Sequence, residues 1–405
     1  VFFKRLVKNN EPLDRIAKLF LASRFFGLMY FAAPIWYAFA TEAITPAQVG
    51  IFFSALGIVQ FIAEVPTGVI ADKYSRKLSA LIGTFILLFV PLVVYFGHNF
   101  TAYMVAALLC GVGRAFVSGS LDSLVYDHKN VSKEAYRRIS GLEVTLTSAG
   151  LILSVGAGGL LFSLHKSLPF IAEAVAGVVC LVLIWLMRED MVKTCHVAPS
   201  SHTRHFWEGV KLLLATKYLR IFILMSVPIW VMLRICIQFV NEAALIEHGF
   251  EPSFRGLFSA FMTLLTLVCV QFFLFKVLKR DRERILFISI ASVVAFALLG
   301  LGGLVMFLIG FLLWNWLLGT HSAFIKPILQ DNLPSTHRST AMSGFAALTS
   351  LVGFGGSALI GWLVDLTRTP RSAYIFFAVV SSLAVLPAAL WLAAHLKRNP
   401  ERAIR

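Results

Sequence analysis

The stretch EVPTGVIADKYSRK, Glu64–Lys77, lies between two long apolar runs, and its last ten residues hold all of its charge except Glu64. A short, charged segment punctuated by Pro66 and Gly68 is the pattern of a tight hairpin between two helices. Each flanking run has about 20 apolar residues, enough to cross ~30 Å of hydrocarbon at ~1.5 Å per residue. Glu64 stands on the membrane side, two helical turns before Asp72, with Gly68 between them on one face.

The same alternation runs through the whole chain. Of its 405 residues 58% are hydrophobic and 14% charged, with 36 phenylalanines, whereas soluble domains are nearer half apolar and a quarter charged. Twelve spans are expected, at 18–40, 48–70, 78–97, 101–126, 138–163, 169–187, 219–244, 254–276, 285–300, 303–325, 339–363 and 372–395. The fold class is thus an all-α polytopic membrane protein, twelve transmembrane helices in two six-helix bundles. The first span is too long and too aromatic for a cleaved signal peptide. Cys110, Cys180, Cys236 and Cys269 fall inside spans and Cys195 in the central loop, so packing rather than a disulfide framework is expected.

Basic residues set the orientation. With both termini inside, all but seven of the 36 Lys and Arg lie on the inner side; Arg24, Arg114 and Arg234 are within spans, and Lys166, Arg255, Arg368 and Arg371 are outside. This is the positive-inside bias. The net charge of +15 then faces anionic lipid headgroups, and nucleic acid is not an expected partner. The expected location is a bacterial-type cytoplasmic (inner) membrane, with N- and C-termini cytoplasmic.

The longest polar segment divides the spans six and six: 1–187 as one bundle, 188–218 as a central cytoplasmic loop, and 219–405 as the other bundle. Within the loop, Phe206, Val210, Leu213 and Leu214 at helical spacing, opposite Glu208 and Lys211, predict an interfacial helix over His205–Leu214. Cys195, His196, His202 and His205 match no zinc spacing, and no metal is expected. The halves echo one another. RRISGLEVTLTSAGLILSVGAGGLL, from Arg137, and HRSTAMSGFAALTSLVGFGGSALIGWL, from His337, each become a glycine-rich span with Gly156, Gly158 and Gly159 in one and Gly353, Gly355 and Gly356 in the other. Such small residues let helix backbones approach closely, and internal duplication of membrane helices marks secondary transporters.

With these features in hand, GVIADKYSRK resembles the loop signature of the major facilitator superfamily: Gly68, Asp72 four residues on, Lys73, and the basic pair Arg76 and Lys77. Twelve spans and a duplicated half agree with that resemblance over essentially the whole chain. The departures are Ser75 where the family has Gly, Val277 where the second half's loop should have its Gly, a missing proline before Gly158 and Gly159, and Ala107 where the antiporter branch carries arginine. Tight packing at Gly68 is expected, and Asp72 is placed to face the positive N-terminus of another inner helix. Arg76 needs a carboxylate; Asp127 at the end of span 4 suits it, and the resemblance implies a similar pairing. Together Gly68, Asp72, Lys73, Arg76, Lys77 and Asp127 are expected to form a conformational latch, the plainer reading of the basic residues being topology determinants alone.

Charges inside the membrane cost at least ~2.5–3.5 kcal/mol each on insertion scales and are functional candidates. The resemblance implies that spans 1, 4, 7 and 10 line a central cavity. Arg114 and Arg234, near mid-span, are the expected clamp for an anionic solute, the alternative being structural ion pairs; Arg24 either joins them or snorkels to headgroups. Arg114, Ser118 and Asp122 are expected on one face of span 4, and Arg234, Gln238, Asn241 and Glu242 on one face of span 7. On span 10, Trp314, Asn315 and Trp316, with His321, suit a small organic ligand. Asp122, Glu64 and Glu143 are the expected proton carriers, with Glu173 and Glu242 weaker candidates.

The leading functional expectation is a proton-coupled secondary transporter of a small organic, anionic solute, working by alternating access. Its alternatives are a proton-driven drug or metabolite efflux antiporter, an importer of a carboxylate nutrient or siderophore, and a non-transporting sensor. The expected partners are a small-molecule substrate, protons and membrane lipids, with the chain a monomer. No nucleotide-binding loop or nucleophile–base pairing stands in the sequence, so neither an enzyme nor a cofactor is expected.

Overall fold

The computed structural model describes residues 14–128, 131–189, 209–269, 277–278, 280–333 and 338–398. Every regular element among them is helical, and 10 of these helices are long and apolar enough to cross a membrane, by length and composition. In hydrocarbon each backbone N–H and C=O must be satisfied within the segment, so apolar runs of this length fold as helices. Side-chain caps mark several starts. Ser75 accepts from Leu78 N–H at 3.0 Å, Asn99 from Ala102 N–H at 2.9 Å, and Thr216 from Leu219 N–H at 3.2 Å.

Several expected spans are not single helices. The first consists of α1 (Arg15–Gly27) and α2 (Trp36–Thr41), and residues 28–35 between them are non-helical. Pro34 lacks an N–H and disfavours helical geometry at Ala33, which accounts for the interruption. After α3 (Pro46–Lys73) and α4 (Arg76–Gly97), the fourth span stops at the end of α5 (Phe100–Val117), turns at Gly119 with φ 74, and resumes as α6 (Ser120–Tyr126). Next come α7 (Lys133–Leu164) and α8 (Leu168–Leu186). The seventh span is α9 (Lys217–Ile235), a π turn over Cys236–Val240, and α10 (Asn241–Glu247). Of the eighth, α11 (Pro252–Cys269) is described, and its expected end at 270–276 lies outside the described residues. The chain continues through α12 (Asp281–Leu301), α13 (Leu304–Asp331) and α14 (Arg338–Thr367). It ends with α15 (Arg371–Val380), a second π turn (Ser381–Val385) and α16 (Leu386–Arg398). Cys195, His196, His202 and His205 also lie outside the described residues; of the interfacial helix, residues 209–214 are helical, with Val210 and Leu213 buried and Leu214 exposed.

The chain divides into two compact units, one of 1–36, 55–197 and 252–260, the other of 37–54, 198–251 and 261–405. In the first, α4 packs along α5 and α8, and α1 lies on α7 and α8. Phe20, Leu121, Leu124, Val125, Ile139 and Ile184 form its core at the hairpin end. Segment 252–260 joins this unit by a backbone crossing: Gly256 approaches the Val155 carbonyl so closely that a Cβ would stand 2.6 Å from it. In the second unit α12 runs along α13, α15 and α16, with Phe296, Phe307, Phe324, Tyr374 and Phe377 fully buried. Segment 46–54 joins it by the equivalent device, a Cβ on Gly361 meeting the Pro46 carbonyl at 2.6 Å. The Ser54 hydroxyl adds a hydrogen bond to the Phe354 carbonyl.

Beyond α10, in the loop that turns at Gly249, the His248 ring packs on Phe307 at 4.4 Å. Glu247 beside it pairs with Arg371 at 2.6 Å and accepts from the Thr369 hydroxyl at 2.7 Å. Burial, and then the Arg371 charge, lower the His248 pKa below the usual histidine value, against the opposing pull of Glu247. The folded protein therefore prefers neutral His248. This contribution is present above the unfolded pKa of about 6.5 and is lost as pH falls below it. The thermal unfolding midpoint of the detergent-solubilised protein should fall between pH 7.5 and 5.5, and His248→Gln should flatten part of that slope. An identical slope in the variant would show that His248 contributes nothing.

Candidate functional site

At the hairpin end of the first unit, Arg76 is the hub. Its Nη1 donates to Asp127 Oδ2 and, at 3.0 Å, to the Ser123 carbonyl, while Asp72 Oδ1 stands 3.8 Å from its Nε. The backbone N–H of Arg76 opens α4 and donates to Glu189 Oε1 at 2.8 Å; the Ser75 hydroxyl donates to Glu189 Oε2. Lys77 Nζ donates to the Met187 carbonyl at 2.7 Å, and Lys73 lies over the Tyr74 ring. Two expectations change. Among the described residues nothing lies within 4 Å of a Cβ built on Gly68, so it serves no close packing there. It is Glu189, and not the largely exposed Asp72, that takes a helix N-terminus, with the charge complementarity such ends favour. Ser75, the departure from the family glycine, binds Glu189 as well as capping α4.

Glu64 is exposed on α3, accepts from Gln60 Nε2 at 3.3 Å, and makes no ion pair with Arg76 among the described residues. Asp122 and Glu143 instead meet at Arg24, in the last turn of α1. Arg24 Nε lies 2.5 Å from Glu143 Oε1, and its Nη2 lies 3.8 Å from Asp122 Oδ1. The Glu143 side chain is the less exposed of the two carboxylates, 16% against 43%, and is the primary partner. Arg24 thus points into the protein instead of snorkelling. The expected face Arg114–Ser118–Asp122 does not form, because the helix ends at Val117 and the left-handed Gly119 turns Asp122 away. Ser118 is an exposed residue at that break.

Arg114 shares a hydrogen bond with the Tyr30 hydroxyl, and the Cys110 thiol, one turn earlier on α5, and the Glu173 carboxylate lie within electrostatic range of it. Tyr30 belongs to the non-helical segment 28–35, whose freed backbone groups are taken up by neighbouring helices. Tyr30 N–H donates to Ser154 Oγ at 3.1 Å, Ala32 N–H donates to Glu173 Oε2 at 3.1 Å, and Arg255 Nε donates to the Pro34 carbonyl at 3.3 Å. Irregular backbone at membrane depth persists only where protein or a polar cavity satisfies it. Tyr30 carried no signal beyond its place near Pro34.

In the second unit the expected face of span 7 separates into different contacts, because the π turn breaks the 3.6-residue repeat. Arg234 is exposed at the end of α9. Gln238 accepts from the Ser357 hydroxyl at 2.9 Å, and Asn241 accepts from the Tyr374 hydroxyl at 2.8 Å. Glu242 accepts from the N–H groups of Tyr37 and Ala38 at 2.7 and 3.1 Å. On α13, Asn315 donates to the Phe311 carbonyl of its own helix at 3.0 Å, and buried Trp314 packs on Phe311. His321 stacks on Trp230 at 5.3 Å, and its Nε2 lies 3.2 Å from the Ser226 carbonyl. Trp314, Asn315 and His321 are therefore interior groups, and Trp316 is half-buried. Among the described residues no cluster of His, Cys, Asp and Glu has the arrangement of a metal site.

Comparisons with known proteins follow this architecture. A stretch of 151 residues is 23% identical to the Quinolone resistance protein NorA of Staphylococcus aureus, covering 37% of this chain and 38% of NorA. A stretch of 142 residues is 28% identical to the Probable vesicular acetylcholine transporter-A of Danio rerio, covering 34% of this chain and 28% of that protein. The match thus spans well under half of either relative's length. Among solved structures, nucleoside transporter NupG (D323A mutant) has a TM-score of 0.76 at 17% identity, over 93% of this chain and 99% of that one. The POT family transporter PepTSo has 0.72 at 15%, over 96% and 99%. The D-xylose-proton symporter has 0.65 at 13%, over 93% and 95%. These likenesses give the fold. The family model described as Major Facilitator Superfamily matches residues 19–324, and the chain, a multi-pass membrane protein, belongs to that transporter family.

Proposed function

We propose that the protein is a proton-coupled secondary transporter that carries a small organic solute with an anionic group by alternating access. In this reading twelve spans form two six-span bundles in a cytoplasmic-type membrane, with both termini cytoplasmic. The observation that carries the coupling is Arg24 held between Glu143 and Asp122. One cation between two carboxylates leaves a single excess negative charge, which one proton balances. Arg114 and Arg234 are the proposed anion contacts, because guanidinium stays charged and binds carboxylates bidentately. The Arg76–Asp127–Glu189 knot ties the ends of α4 and α6 to the start of the central loop, which fits a latch that breaks as the transporter rocks. Export is the second reading, favoured by the hairpin and by the NorA-like region; the same charges serve an antiporter.

The test uses the purified full-length chain in liposomes loaded with pyranine, under an imposed pH gradient, against a panel of anionic, zwitterionic and cationic solutes. An anionic solute should evoke proton flux. Asp122→Asn or Glu143→Gln should cut that flux by about tenfold, the scale of a typical coupling energy, while solute exchange at equal pH continues. Flux that ignores the gradient, or two variants that both remain coupled, would end the coupling reading.

A further inference from the structure

In the second unit, the start of α9 and the end of α16 bring three rings and four cations together. The two helices pack along one another. Lys217, the first residue of α9, holds its Nζ 5.4 Å from the centre of the Trp391 ring. The Trp391 indole stacks on His395, one turn later, at 5.2 Å, and the Tyr218 ring stands 5.6 Å from the same imidazole. Arg398 continues the Trp391–His395 face of α16, Lys397 is its neighbour in sequence, and Arg220 follows Lys217 by one turn of α9. Lys217, Arg220, Lys397 and Arg398 are exposed, and among the described residues none of the four makes an ion pair. Arg24, Arg76, Arg284 and Arg371, by contrast, each lie against a carboxylate. Asp281, within electrostatic range of Tyr218, is taken by Arg284 at 3.0 Å.

The cations stand at the end of an apolar surface. From Lys397 an exposed stripe runs back along α16, and the π turn before it, through Ala394, Leu390, Pro387 and Leu383, at intervals of three and four residues. On α9 the exposed residues Lys217, Arg220 and Leu224 repeat the order, charge at the helix end and an apolar side chain a turn deeper. We infer that this cluster binds one anionic phospholipid of the inner leaflet, its phosphodiester among Lys217, Arg220 and Arg398 and its acyl chains along the stripe from Leu390 to Leu383. Only the choice of leaflet rests on the orientation proposed above. The Trp391 face holds the Lys217 ammonium by cation–π attraction near the membrane surface, where an indole is at home. Basic groups there attract anionic headgroups. A zwitterionic lipid brings a cation of its own, which the four basic side chains repel, and a free anion has no chains to lay on the stripe. The bound lipid spans the first and last helices of the second unit and screens the repulsion among their cations.

Ala394, exposed on the stripe, places a reporter at the site. The full-length chain with its five cysteines replaced by serine and Ala394→Cys labelled with bimane is reconstituted in phosphatidylcholine liposomes. Quenching is compared for phosphatidylglycerol and phosphatidylcholine, each carrying a nitroxide on the fifth carbon of one acyl chain. Phosphatidylglycerol should quench at a several-fold lower membrane fraction than phosphatidylcholine. Lys217→Gln should raise the phosphatidylglycerol fraction for half quenching by roughly fivefold, the scale of one basic residue at a membrane surface. Lys217→Arg should keep the parent value, and Trp391→Leu, which leaves every charge in place, should raise it about two- to threefold. Quenching by phosphatidylcholine reports ordinary lipid contact and shows that each variant is folded and inserted. Equal quenching by the two lipids, or an unchanged half-point in Lys217→Gln, would overturn the inference. So would relief of the quenching by millimolar inorganic phosphate at matched ionic strength, which would assign the cluster to a free anion. None of these readouts involves transport, so failure of the coupling reading leaves them untouched.

Discussion

Arg24→Gln should destabilise the purified protein by roughly 3 kcal/mol, the cost of removing one partner from a largely desolvated ion pair. The effect is large because the guanidinium has two carboxylates to balance. Glu143 lies at 2.5 Å and is mostly shielded from solvent; Asp122 is at 3.8 Å and more exposed. Without Arg24 the two negative charges face each other on α6 and α7. Introducing Glu143→Gln into the Arg24→Gln background should therefore restore more than half of the loss, whereas Asp122→Asn should restore less. Thermal unfolding in detergent across this double-mutant cycle measures the coupling. Purely additive effects would show that Arg24 and Glu143 do not act as a pair.

That cluster also shows where sequence reading stops. The long helices were legible because a membrane demands continuous apolar runs, and ten of the expected spans are present as helices long enough to cross. The interruptions were not, since hydropathy averages over them: residues 28–35, LMYFAAPI, are as apolar as the helices they separate. Proline is an ambiguous signal in such a chain. Pro66, Pro91, Pro228 and Pro327 all sit inside helices, whereas Pro34 stands in the break. Gly119 is equally quiet in sequence, yet its left-handed turn moves Asp122 from the expected face with Arg114 to Arg24. The π turn after Ile235 likewise scatters Gln238, Asn241 and Glu242 to separate neighbours. The meeting of Arg76 and Asp127 was legible because it needs only complementary charges at two helix ends. Glu189 escaped notice because its partners are a backbone N–H and a serine hydroxyl, groups that leave no charge pattern.

The two glycine-rich spans make the same point as an experiment, because they read alike and pack differently. Gly158→Val should cost about 3 kcal/mol, as overpacking against backbone does when nothing flexible can yield. A Cβ at Gly158 collides with the carbonyl of Phe31 in the non-helical segment of span 1, so the glycine is what allows α7 to lie against that segment. The segment cannot easily retreat, because Ser154 and Glu173 hold its N–H groups and Arg255 the Pro34 carbonyl. Its counterpart behaves oppositely. Among the described residues no atom lies within 4 Å of a Cβ built on Gly355, so Gly355→Ala removes only the entropic penalty of a helical glycine and should be neutral or stabilise by up to ~1 kcal/mol. Thermal midpoints of the two variants in detergent should therefore move apart, Gly158→Val well below the parent and Gly355→Ala at or above it. A matching fall in both would mean that the second glycine run packs as tightly as the first. A harmless Gly158→Val would mean that segment 28–35 is not pressed against α7, and the support for holding Tyr30 beside Arg114 would go with it.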